Sequence, residues 1–167
     1  KMTQGWFVTA MPDMNQRNPF MANYLIQNTL WWIEYADLDG LRIDTYPYSD
    51  KNFLSVWSKA VMNEYPKFNM VGEEWSTRQA VTAYWQKGQN NRDGYQSYLP
   101  TMMDFPLNNA LIEGLKENDK EWGKGMLKVY QCLSDDYLYA DANNLVTFFD
   151  NHDMNRIYTQ LDEDKEL

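Results

Sequence analysis

Residues 40–73 read GLRIDTYPYSDKNFLSVWSKAVMNEYPKFNMVGE, and this stretch decides the fold. It begins with a short strand of alternating character, Leu41-Arg42-Ile43-Asp44, and ends with another, Asn69-Met70-Val71-Gly72-Glu73. Between them a helix starts near Ser49-Asp50, carries Phe53, Leu54, Trp57, Ala60 and Val61 at helical spacing, and stops at Pro66. Strands separated by helices imply a parallel sheet with right-handed crossovers.

The same alternation continues on both sides. Upstream, residues to Gln16 read as loop. Asn18-Pro19 then opens a helix, with Asn as N-cap and Pro at the first helical position, and the pattern Phe20, Tyr24, Leu25, Leu30, Trp31, Ile33 carries it to about Ala36. Asp39-Gly40 breaks it. Downstream come a helix over about 77–87, a strand over 98–105 with Pro100 early in it, helices near 107–117 and 121–134, and a strand over 145–149 that runs into Asp150-Asn151-His152-Asp153. The fold class is α/β. An open doubly wound sheet and a (β/α)8 barrel both place polar residues at the C-terminal ends of strands. No Gly-rich phosphate loop follows any strand, which disfavours the nucleotide-binding sheet. A complete barrel needs about 250 residues. The expectation is therefore a partial (β/α)8 TIM barrel of four parallel strands with covering helices, occupying the whole of 1–167, with 1–17 a loop leading in. Exposed strand edges would favour self-association of such a piece.

Composition narrows the function. The net charge is −9 with no basic stripe, so nucleic acid is excluded as a partner. The single cysteine, Cys132, excludes an internal disulfide. No apolar run reaches transmembrane length, and Lys1-Met2-Thr3-Gln4-Gly5 lacks the apolar region of a signal peptide. Aromatics reach 16%, which suits either a rich core or rings stacked on sugar faces.

The chemistry-bearing residues sit at strand ends. Arg42 and Asp44 share a strand face, and an arginine beside a carboxylate favours its ionised form, as a nucleophile requires; a structural salt bridge is the alternative. Glu73 follows Gly72, where the missing side chain leaves room for a ligand or backbone. Set in a partly apolar pocket near Trp75, Glu73 would be a proton donor, with Glu74 pointing the other way as a structural partner. His152, the only histidine, lies between Asn151 and Asp153. Three carboxylates at the tops of neighbouring or near-neighbouring strands suit glycoside hydrolysis. They suit a metal site less well, because one histidine is available and Arg42 opposes a cation near Asp44.

Four motifs carry a family resemblance. Met11-Pro12-Asp13-Met14-Asn15, Gly40-Leu41-Arg42-Ile43-Asp44, Val71-Gly72-Glu73 and Phe148-Phe149-Asp150-Asn151-His152-Asp153 resemble, in order and spacing, those of the α-amylase family. Within it the chain is most similar to starch-degrading and neopullulanase-like enzymes, including those of Bacteroides cell-surface starch utilisation. The resemblance implies that the strands are the fourth to seventh of a parent barrel. It implies a retaining mechanism with Asp44 as nucleophile, Glu73 as acid/base and Asp153 as transition-state stabiliser, the first two carboxyl groups being about 5–5.5 Å apart. Arg42 would orient Asp44, and His152, Tyr48, Trp75 and Arg156 would bind substrate.

The implied partner is an α-glucan oligo- or polysaccharide, met at a cell surface by a secreted or lipoprotein parent alongside other starch-binding proteins. No cofactor is implied for the chemistry, although Asp13 matches a position that holds structural calcium in some members. Pro47-Tyr48 stands where the family often has Lys-His, a departure that puts in question one product-side sugar contact and the histidine carbonyl that many members use for calcium. The resemblance also admits a cyclomaltodextrinase or transglycosylase with the same carboxylates, and a non-catalytic carbohydrate-binding relative.

Overall fold

The computed structural model of the protein describes residue 6, residues 8–117 and residues 120–164. Part of the lead-in loop, residues 1–5 and 7, lies outside the described residues. The rest of it holds one isolated antiparallel bridge, Val8 to Met11, and no helix.

Four strands, β1 (Gly40–Ile43), β2 (Asn69–Gly72), β3 (Thr101–Met103) and β4 (Leu145–Val146), form one parallel sheet in the order β1-β2-β3-β4. Spatial order follows chain order without reversal. A doubly wound sheet reverses at its switch point, so this is an arc of a (β/α)8 barrel.

Among the described residues six α-helices accompany the sheet: α1 (Pro19–Ala36), α2 (Lys51–Glu64), α3 (Gln79–Tyr84), α4 (Phe105–Lys116), α5 (Leu127–Ser134) and α6 (Ile157–Gln160). Asn18 caps α1 as its sequence suggests, its side chain accepting from the backbone N–H groups of Phe20 and Met21. Asp50 caps α2 in the same way, accepting from Asn52 and Phe53. Leu54, Trp57 and Val61 of α2 then bury against Met70, Leu99 and Met102 of the sheet layer, with Tyr46, Trp85 and Tyr95 completing the core. Each such side chain contributes about 1.5–3 kcal/mol by leaving water. Most of the aromatic excess near the sheet is therefore packing. Trp57 satisfies its indole N–H on Thr29 Oγ1 at 2.9 Å, and Trp85 meets Tyr46 edge-on.

Several elements are shorter than their patterns suggest, each for a local reason. The strand expected over 98–105 pairs only at Thr101–Met103: Pro100 has no N–H to give, and Asp104 already caps α4 by accepting from Leu107 N. The strand expected over 145–149 leaves the ladder after Val146, where Phe148 turns its ring edge onto Phe105. The helix expected over 77–87 stops at Tyr84, because Gln86 is drawn to Asp141 and Lys87 N donates to Leu99 O. The helix expected from 121 starts at Leu127, after Gly123 and Gly125 adopt left-handed backbone (φ 77 and 68). Among the described residues no helix is long and apolar enough to cross a membrane.

Candidate active site

The C-terminal end of the sheet gathers the site. The ladder between β1 and β2 runs past the strands: Glu73 N donates to Ile43 O, and Tyr46 N donates to Glu73 O, both at 3.0 Å. Asp44 and Thr45 are bracketed between these two bonds. Thr45 is left-handed, with φ 44 and ψ 43. That conformation is costly for a β-branched residue and is kept where the surroundings over-determine it. It turns the Thr45 N–H onto Glu73 Oε2 at 2.8 Å.

Arg42 joins the two strand ends. Its Nη1 lies 2.5 Å from Asp44 Oδ1 and its Nη2 lies 2.6 Å from Glu73 Oε1. A guanidinium is a flat fork with fixed donor directions, so a single side chain sets the separation of the two carboxylates. Glu73 is 4% exposed, and each of its oxygens accepts a hydrogen bond. Trp75 stacks on Phe105, with ring centroids 4.9 Å apart, and the buried Glu73 carboxylate accepts from two polar donors, Arg42 Nη2 and Thr45 N. The clearance expected at Gly72 is filled. A Cβ there would lie 2.5 Å from Leu99 Cδ2 and 3.3 Å from Tyr46 Cγ, so the space above it holds core side chains and not a ligand.

The loop after β4 brings the third carboxylate across. Ligand-type atoms of Asp44, His152 and Asp153 all lie within 4.8 Å of one another, and all three residues are exposed. His152 Nε2 sits 3.1 Å from Asp153 Oδ2. Asp153 is oriented by an Asx turn, its N–H donating to Asn151 Oδ1 at 2.9 Å. Among the described residues this is the one set of three His, Cys, Asp or Glu side chains gathered tightly enough for a metal. The Arg42 cation, 2.5 Å from Asp44, opposes a second positive charge there. Asp13 stands apart from this set and accepts from Gln16 Nε2 at 2.8 Å.

Of the residues singled out from sequence, Arg42, Asp44, Glu73, His152 and Asp153 come together. Tyr48 lines a neighbouring cavity of about 410 Å³ with Pro47, Glu74, Val81, Tyr84 and Trp85. Its hydroxyl is shifted upward, first by burial and then by the charges of Glu74 and Glu73. Glu74 turns away from Glu73, as strand alternation requires, and accepts from Trp85 Nε1 at 3.1 Å. Burial pushes its carboxyl above the usual range, opposed by the indole bond. Arg156 is turned outward, 76% exposed, with Nη1 2.6 Å from Asp150 Oδ1. Asp150 also accepts from Ile157 N at 2.8 Å, and these two contacts hold its carboxyl below the usual range. Asp150 and Thr45 were missed as functional positions. The left-handed turn at Thr45 has no local sequence signal, while Asp150 and Arg156, six apart in one polar loop, could have suggested a loop clip.

These features agree with the comparisons. The chain matches the family described as "Alpha amylase, catalytic domain" over residues 4–167, so it belongs to the α-amylase family. It is 33% identical over 142 residues to an alpha-amylase of Streptomyces lividans, covering 80% of this chain and 14% of that protein. It is 27% identical over 151 residues to a cyclomaltodextrin glucanotransferase of Geobacillus stearothermophilus, covering 87% and 19%. The crystal structure of an alpha-amylase from Geobacillus thermoleovorans, complexed with acarbose, superposes with a TM-score of 0.78 at 28% identity, over 94% of this chain and 33% of that one. The chain thus spans a third or less of the length of these relatives.

Proposed function

We propose that the protein to which this chain contributes is a retaining glycoside hydrolase acting on α-glucosidic bonds of starch-type glucans. The observation that carries this reading is the Arg42 fork, which presents Asp44 and Glu73 as a fixed pair facing Asp153 and His152.

The chemistry follows from the residues. An Asp44 carboxylate oxygen attacks the anomeric carbon and the glycosidic C–O bond breaks, while Glu73 gives its proton to the departing oxygen. Glu73, now a carboxylate, takes a proton from water. That water attacks the anomeric carbon and releases Asp44, so configuration is retained. Asp153 and His152 grip sugar hydroxyls as the ring flattens. Glu73 donates from one oxygen while the other keeps accepting from Arg42 or Thr45. No step calls for a metal.

The test uses the full-length protein with Asp44→Asn and Glu73→Gln. Each should lower hydrolysis of starch by about a thousandfold or more with an unchanged unfolding midpoint. Hydrolysis within tenfold of the parent in either variant would contradict the reading. Proton NMR of the first-formed product should show the α-anomer; a β-anomer would contradict retention.

A second reading, favoured by the similarity to a glucanotransferase, is transfer to a sugar hydroxyl from the same glycosyl-enzyme. Products from starch, cyclodextrin and pullulan separate transfer and ring opening from endo-hydrolysis. A non-catalytic binding role is disfavoured by the presence of all three carboxylates.

A further inference from the structure

We propose that Asn108, on α4 and outside the four motifs, is a positioning residue that holds the transition-state-stabilising Asp153 in register with Asp44. This rests on the function proposed above. The β3–β4 ladder pairs Met102 with Leu145 and Met103 with Val146, and its last bond runs from Asp104 N to Val146 O at 2.9 Å. Beyond it the chain leaves the sheet, and the next carbonyls have no strand to accept from. Asn108 takes over. Its Nδ2 donates to Phe148 O at 3.0 Å and to Phe149 O at 2.8 Å. An amide nitrogen carries two N–H groups, so one side chain satisfies two successive carbonyls.

Asn108 is itself 3% exposed. Its backbone is pinned in the first turn of α4, where its N–H donates to Asp104 O. A buried amide on a capped helix is a rigid anchor. A part-buried carbonyl deprived of its donor must find another, and here that is water, towards which the chain would move. The anchored carbonyls stand immediately before Asp150-Asn151-His152-Asp153. Past them the loop is held chiefly by its own contacts: Asp150 with Arg156 and Ile157, and Asn151 with Asp153. Those contacts shape the loop, whereas Asn108 ties it to the barrel. Asp44 directly follows β1, at the far side of the same sheet. The meeting of Asp44 and Asp153 therefore depends on where the chain leaves β4.

The test is a double-mutant cycle in the full-length protein, with Asn108→Leu, similar in volume and without donors, and Asp153→Asn. Asn108→Leu should lower kcat on maltoheptaose by about tenfold or more, because a misplaced group of about 1 Å costs up to a hundredfold, with KM changed by less than about threefold. In the Asp153→Asn background the same substitution should change kcat by less than about twofold, since its effect passes through Asp153. Amide exchange should quicken at 148–153 and stay unchanged across α4. An unchanged kcat, a full multiplicative loss in the double variant, or a variant that no longer folds would each overturn the proposal. Normal activity in Asp153→Asn alone would instead overturn the function on which it rests.

Discussion

Arg42 Nη2 lies 2.6 Å from Glu73 Oε1 while Nη1 of the same guanidinium lies 2.5 Å from Asp44 Oδ1, so one planar group spans the ends of two strands. Lysine offers a point charge and cannot hold both oxygens along parallel lines. Arg42→Lys should lower kcat by about a hundredfold, on the scale of losing one oriented charge-stabilising donor. Arg42→Ala should also destabilise the fold by about 2 kcal/mol. Loss of one partner of a fully buried pair costs about 3–5 kcal/mol, and Arg42 is partly solvated. Steady-state kinetics and denaturant unfolding check both; equal kcat in Arg42→Lys would count against the fork.

Gly72→Ala should destabilise by about 1–3 kcal/mol, the cost of overpacking a filled core. The added methyl meets Leu99, Met102 and Tyr46. Urea unfolding of the variant reads this directly. A neutral substitution that instead weakens substrate binding would restore the view of Gly72 as a ligand clearance.

Asp104 is buried at the N-cap of α4, and burial raises its carboxyl above the ordinary aspartate value of 3.8, opposed by the Leu107 N–H and assisted by the charge of Asp136. The native state therefore binds a proton more readily than the unfolded chain. This contribution to stability is largest at low pH and declines as pH rises from about 3.8 through the raised native value. Asn keeps the accepting oxygen and does not titrate. The stability difference, Asp104→Asn minus parent, should grow in favour of Asn between pH 4 and pH 7. A difference that stays flat or falls with pH would contradict this account.

The 167-residue chain by itself should hydrolyse starch negligibly. The sheet has four strands with β1 and β4 at its edges, and Asp44, His152 and Asp153 are exposed, so water screens the charges that catalysis uses. Turnover close to that of an intact amylase would refute this.

The parallel αβ alternation was legible because each strand and helix keeps its own hydrophobic period; the caps at Asn18 and Asp50 also follow directly from local chemistry. The convergence of Asp44 and Glu73 was legible because each directly follows a strand and a parallel sheet lines up those ends; Asp153, well past the end of β4, is brought in by its loop. What sequence reading missed was tertiary. Glu73 was expected in an apolar pocket, since Trp75 is two residues away. That ring stacks on Phe105, while the hydrogen bonds to the carboxylate come from Arg42 and a left-handed Thr45. Arg156 pairs with Asp150, a contact within one loop that its sequence position alone did not announce. Asn108 bears no local mark of its task, because its partners are forty and forty-one residues away.

The central claim is that Asp44 becomes covalently bound to the sugar while Glu73 and Asp153 close around the same linkage. A 5-fluoro-glycosyl fluoride, which slows release of such an intermediate, should label the full-length protein in Glu73-competent form, and peptide mass spectrometry should place one glycosyl group on Asp44. A label on another carboxylate, or full turnover of the reagent by an Asp44→Asn protein, would contradict it.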